Sequence, residues 1–137
     1  MTEENLNNRL MLLNKLNDTL QNINQVEIYR EDLGYDKTTL FEKLGAIHHA
    51  MGHMGKALKY FEKDLELAKE LFESNPRNTN LLEDLAISYY KLVLIYKAKS
   101  NIEKGKKYFS QWKDIISFLA ENLPQVPRYR QWNHIEY

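Results

Sequence analysis

Phe41-Glu42-Lys43-Leu44-Gly45, then Gly52-His53-Met54-Gly55-Lys56-Ala57, then Phe61 and Asn75-Pro76 form the stretch that decides the fold. It reads as a helix, a tight turn and a second helix, with small residues where the two helices touch. The layout recurs 48 residues later without a gap. Leu44 is matched by Leu92, Lys56-Ala57 by Lys104-Gly105, Tyr60-Phe61 by Tyr108-Phe109, Leu71 by Leu119 and Pro76 by Pro124. A self-similar interval of this length marks stacked helical units, each burying its apolar face on a neighbour.

Within the first unit, Leu40, Phe41, Leu44, Ile47, His48 and Met51 fall at helical spacing. Gly34 with Asp36 predicts a break before this helix, and Thr39-Leu-Phe-Glu42 fits a capping box at its start. Gly52 closes it, because glycine accepts the left-handed conformation common just past a helix end. Ala57, Phe61, Leu65, Ala68 and Phe72 then line one face of the returning helix, with Leu58 and Leu71 alongside, and Asn75-Pro76 stops it.

In the second unit Asn78 or Asn80 is placed to cap a helix, with Glu83 spaced to answer Asn80. Its stripe is Leu82, Leu85, Ala86, Tyr89, Leu92, Val93 and Tyr96. Ser100-Asn101 makes the turn. The next helix buries Tyr108, Phe109, Trp112, Ile116, Leu119 and Leu123 before Pro124.

Upstream, residues 4–24 carry Leu6, Leu10, Leu13, Leu16 or Leu20, and Ile23 at spacings of three and four. That is an amphipathic helix whose apolar face Met11 and Leu12 widen, so contact on two sides is expected. Downstream, residues 125–137 correspond to the start of a further helix, cut short, that can lay Tyr129, Trp132 and Ile135 over the open end of the stack. The expected architecture is a single all-α domain. Residues 1–36 form a capping helix and linker, 37–76 and 77–124 form two antiparallel hairpins, and 125–137 form a C-terminal cap.

Composition bounds the function. Hydrophobic residues make up 43% of the 137-residue chain and charged residues 28%, ordinary for a globular domain with one core. With no cysteine there are no disulfides, thiol catalysis or Cys-ligated zinc. No apolar run reaches the roughly 18 residues a membrane span needs, and no secretory signal pattern opens the chain. A cytoplasmic location, without membrane partners, is the expectation. Net charge is zero but uneven: residues 1–36 carry −4 and residues 77–137 carry +4.

At this point the chain resembles the tetratricopeptide repeat family over roughly residues 38–124. Phe41, Leu44-Gly45, His48, Gly52, Ala57, Phe61 and Pro76 stand at the signature positions of one unit, and Tyr89, Leu92, Tyr96, Gly105, Phe109 and Pro124 at those of the next. Asn75-Pro-Arg-Asn78, Asp84-Leu85 and Ser88-Tyr-Tyr-Lys-Leu92 are similar to a lengthened variant of the repeat, of about 48 residues. His48 stands where the family has Tyr, Val93 where it has a small residue, and Gly105 where it has Ala. The resemblance implies hairpins stacked as a short α-α superhelix that binds a peptide or protein on its concave face, or self-associates into a homo-oligomer.

By position, that face would carry Thr39, Glu42, Lys43, Ala46, His49 and Ala50, then Ile87, Tyr90, Lys91, Leu94 and Lys97. Tyr90 and Leu94 offer apolar contact, while Lys43, Lys91 and Lys97 favour an acidic partner. Glu42, Ala46, Tyr90 and Leu94 occupy the places where part of the family carries a carboxylate clamp, so that clamp is absent. Coverage of Tyr90 and Leu94 by the N-terminal helix is the competing expectation.

Other constellations are weaker. His48, His49 and His53 invite a metal, and His49 and His53 are four apart, but no third ligand follows and none is expected. Lys97, Lys99, Lys104, Lys106 and Lys107, with Arg128 and Arg130 beside Tyr129 and Trp132, support the alternative of a nucleic-acid-binding regulator. Zero net charge and the lack of a nucleic-acid motif disfavour it. No phosphate loop, nucleophile motif or activated serine suggests catalysis, and no cofactor is implied.

Overall fold

The computed structural model describes the backbone of residues 3–23 and 31–137 and the side chains of residues 3–15 and 37–137. Among the described residues the chain is all-α, with six helices and no strand. They are α1 (Glu3–Ile23), α2 (Glu31–Ala50), α3 (Met54–Ser74), α4 (Thr79–Ala98), α5 (Ile102–Asn122) and α6 (Pro127–Asn133). The chain divides into two compact units, Met1–Leu71 and Phe72–Tyr137.

The 48-residue interval holds at both ends of both long helices. It separates Glu31 from Thr79, Ala50 from Ala98, Met54 from Ile102 and Ser74 from Asn122, and it also separates Thr79 from Pro127 at the start of α6. The turns repeat as well. Gly52 (φ 79°) and Ser100 (φ 57°) are both left-handed. The His53 amide donates to the His48 carbonyl and the Asn101 amide to that of Tyr96, each at 2.8 Å. Gly52 donates to His49 and Ser100 to Lys97, each at 3.0 Å. This paired closure satisfies carbonyls that a helix end leaves open.

In the first unit Leu10 and Leu13 of α1 pack against Leu40 and Leu44 of α2, joined by Tyr60 of α3. The contact on a second side expected from Met11 and Leu12 is not made: both side chains are exposed. Leu16, Leu20, Ile23 and the segment 24–30 lie outside the described side chains. The break expected at Gly34 and Asp36 is not there, because α2 begins at Glu31 and runs through both, and Thr39 lies inside it rather than at its cap. One helical glycine costs only about 1 kcal/mol, which a helix of 20 residues can absorb.

Where α2 meets α3, Gly45 sits under Phe61. A Cβ at residue 45 would lie 2.6 Å from the Phe61 ring. Phe41 and His48 both stack on Tyr60, at centroid distances of 6.3 and 5.6 Å. The second unit repeats the cluster as Tyr89 and Tyr96 on Tyr108, at 6.1 and 5.6 Å. His48 therefore takes the place of a tyrosine, as the spacing predicts. Val93, equivalent to Gly45, is buried, and Phe109 turns its ring toward Trp112 and Tyr137, at 5.3 and 5.6 Å.

Asn78 caps α4, its side-chain oxygen accepting from the amides of Asn80 (3.0 Å) and Leu81 (3.2 Å). Asn101 caps α5 by accepting from Lys104. Glu83 answers no cap; it is engaged by the C-terminal segment.

Candidate functional site

The C-terminal segment folds back on its own unit, where α6 packs against α5. Arg128 donates two 2.8 Å hydrogen bonds to the two carboxylate oxygens of Glu83, and the Tyr129 hydroxyl donates to the same carboxylate at 2.8 Å. These bonds to the charged form hold the Glu83 carboxyl below its ordinary range, Arg128 contributing most and partial burial opposing it. Burial and the Glu83 charge together push the Tyr129 phenol up. Tyr129 is only 2% exposed, so this latch is anchored at one end in the core. At the other end Lys113 donates to the backbone carbonyls of Asn133 and Ile135, and Ser117 to the Asn133 side chain.

The latch places Trp132 and Ile135 over α4 and α5. With Ile87, Tyr90 and Lys91 of α4 and Trp112 of α5, they line an open pocket of about 300 Å³. Tyr90 leans on Trp112 with ring centroids 4.9 Å apart. Leu94, one turn beyond Tyr90, is 50% exposed and extends the apolar surface. Lys91 is the charged residue among those lining the pocket.

Of the residues expected on the binding face, Ile87, Tyr90 and Lys91 are brought together at this pocket, and Leu94 continues the same helix face. Lys97 is drawn aside, its ammonium 4.8 Å from the centre of the Tyr137 ring. Tyr137 also fills the space left by Gly105, where a methyl group would meet its hydroxyl. In the first unit Thr39, Glu42, Lys43, Ala46, His49 and Ala50 are all exposed on α2.

Sequence spacing missed Trp112, Trp132 and Ile135 as pocket walls. The 48-residue interval that puts a helix start at Pro127 was the available signal: it laid Trp132 and Ile135 over the end of the hairpins without making them walls of a pocket.

The histidines pair differently from the spacing. His48 and His53, not His49 and His53, bring their Nδ1 atoms to 3.2 Å, one ring donating and the other accepting. Burial, then the charges of Lys56 and His53, push the His48 imidazole below its ordinary value. Among the described residues no three His, Asp or Glu side chains gather as metal ligands. The basic residues behind the nucleic-acid alternative are partly engaged: Arg128 by Glu83, Lys97 and Lys106 by the Tyr137 ring, and Lys104 by Tyr96. Among the described residues no helix is long and apolar enough to cross a membrane.

Fold and site together define an all-α protein of helical hairpins with an aromatic surface pocket. Over 109 residues the chain is 27% identical to photosystem I assembly protein Ycf3 of Cyanophora paradoxa, an alignment covering 77% of this chain and 58% of that protein. The chain thus spans less than two thirds of that relative. No family model and no solved structure matches. The helical hairpins and this distant similarity fit the tetratricopeptide resemblance at the level of architecture.

Proposed function

We propose that the chain is a protein-interaction module that helps subunits of a larger complex come together, acting as a scaffold or adaptor and not as an enzyme. The observation that carries this is the exposed apolar surface of α4, where Leu94 and Ile87, 50% and 38% exposed, flank Tyr90 at the pocket. Apolar and aromatic side chains clustered beside a pocket are the usual anchors of protein association. The similarity to a protein named for photosystem I assembly supports an assembly role in the general sense. Glu42, Lys43, Ala46 and His49 on α2, and Tyr90, Lys91, Leu94 and Lys97 on α4, are the residues proposed to meet the partner.

The test is quantitative capture of the full chain from its source cells, comparing the natural protein with Leu94→Glu. Subunits of one common complex should come down with the natural chain and fall at least about tenfold with the variant. Recovery of unrelated proteins, or equal recovery by both chains, would overturn the proposal.

A further inference from the structure

The turn between α4 and α5 keeps the geometry of its counterpart in the first unit and departs from it in charge. Both turns close on a left-handed residue, Gly52 or Ser100, with matching backbone hydrogen bonds. Residues 97–107 hold five lysines and one acid, Glu103, for a net +4. The equivalent residues 49–59 hold two lysines and no acid. Lys104 and Lys107 have counterparts in Lys56 and Lys59, but Lys97, Lys99 and Lys106 replace His49, Met51 and Leu58. Closing the hairpin therefore does not require the extra charge.

All five lysines are exposed, and among the described residues no carboxylate pairs with any of them. Lys97 and Lys106 lie over the Tyr137 ring and Lys104 over that of Tyr96, contacts that steady the stems and leave the charges intact. At the start of α5, Ile102 is 61% exposed, whereas its counterpart Met54 is half-buried. Lys106 stands one helical turn on from Ile102.

We propose that this turn is a contact site for an anionic phospholipid surface, with Ile102 entering the headgroup layer and the lysines meeting the phosphates around it. Three features select a bilayer among polyanions. The lysines surround the closed end of a hairpin, which suits a broad surface. Every cation is lysine, a point charge on a flexible stem that follows a fluid array of headgroups, whereas bidentate grip of a phosphate is the chemistry of arginine. Ile102 adds the apolar insertion that a purely electrostatic partner would leave in water. Each lysine close to an anionic bilayer is worth about fivefold in partitioning, so this cluster with one inserted side chain suffices for reversible attachment. Surface attachment needs no membrane-spanning helix, so it revises the expectation of no membrane partner, which rested on the lack of an apolar span.

The test is cosedimentation of the full chain with vesicles of equal parts phosphatidylcholine and phosphatidylglycerol, and with vesicles of phosphatidylcholine alone. The chain should pellet with the anionic vesicles at low salt, weaken steeply at physiological salt and ignore the neutral ones. Lys99→Gln combined with Lys107→Gln should lower partitioning about twentyfold. Ile102→Ser should lower it about fivefold and leave the salt dependence unchanged. The three positions are exposed, and unchanged melting curves by circular dichroism show that the variants fold. Lys97 is left in place because it also belongs to the α4 partner face, so the result does not depend on the assembly role.

Absence of binding to the anionic vesicles, equal binding to the neutral ones, or undiminished partitioning of either variant would overturn the proposal. So would binding to single-stranded DNA or polyglutamate that exceeds binding to the vesicles and is lost in the double lysine variant. That result would assign the lysines to a nucleic acid or an acidic protein instead.

Discussion

Ser100 is the residue of the second turn that the backbone geometry suits least. It holds φ at 57°, where its counterpart Gly52 in the first turn holds 79°. A residue with a Cβ loses about 1–2 kcal/mol in this left-handed region. Replacing it by glycine removes that cost but lets the unfolded chain wander more, which returns about 0.4–1 kcal/mol. The Ser100 side chain is exposed, so little packing is lost with it. Ser100→Gly should therefore stabilise the protein by about 0.5–1 kcal/mol. For a chain of this size that raises the melting temperature by about 2–6 °C. The reciprocal change, Gly52→Ser, should cost a similar amount. Nothing lies within 4 Å of a Cβ built on Gly52, so any loss there is a backbone effect and not a clash. Urea titration followed by far-UV circular dichroism reads both variants against the natural chain. A less stable Ser100→Gly, or a neutral Gly52→Ser, would refute the claim that the two turns close by the same left-handed geometry.

Gly45→Ala should destabilise by about 1–3 kcal/mol in the same titration, because the added methyl meets the Phe61 ring packed against α2. His48→Tyr should fold, since Tyr96 stacks on Tyr108 as His48 stacks on Tyr60, at 5.6 Å in both. It should also alter the acid limb of stability. The folded imidazole is held below its unfolded value of 6.5, so its contribution is complete above that pH and is lost as pH falls from it toward the folded value. Urea midpoints at about pH 7.5 and about pH 5.5 should differ less in His48→Tyr than in the natural chain. Glu83 acts in the same direction at lower pH: its lowered value means stability present above 4.5 is lost as pH falls through the folded value. Glu83→Gln should speed tryptic cleavage after Arg128 and Arg130, and an unchanged rate would remove the latch.

The hairpins were legible because each depends on contacts close in sequence. Helical spacing of Leu44, Ile47 and His48 marks the buried face of α2, and Gly52 marks its end. The repeat then transfers both to α4, where Leu92 and Tyr96 are buried and Ser100 takes the left-handed turn. Even the histidine substitution kept its place in the ring stack. The start of α2 was not legible, because Gly34 and Asp36 are local breakers and the helix that carries them is set by packing further along. The capping box at Thr39 failed for the same reason.

The site was harder to read because its walls come from three elements and its position depends on a long-range ion pair. Glu83 has the spacing of a helix-cap partner for Asn80, and nothing nearby in sequence marks it as the acceptor for Arg128. Once that pair and the buried Tyr129 fix α6, the rest follows geometrically. Trp132 and Ile135 come to lie over α4, Lys113 finds the Asn133 and Ile135 carbonyls, and Tyr137 reaches the space beside Gly105. The missing methyl at Gly105 is thus a feature of the tail contact as well as of the hairpin. That couples two parts of the chain by simple exclusion. Gly105→Ala should expel the Tyr137 ring, free Lys97 and Lys106 from it, and leave the Glu83–Arg128 latch closed. Tyrosine ring resonances in an NMR spectrum report the first change, and the tryptic rate after Arg128 reports the second. If both move together, the segment is held as one piece, and the two ends of the tail are not independently anchored.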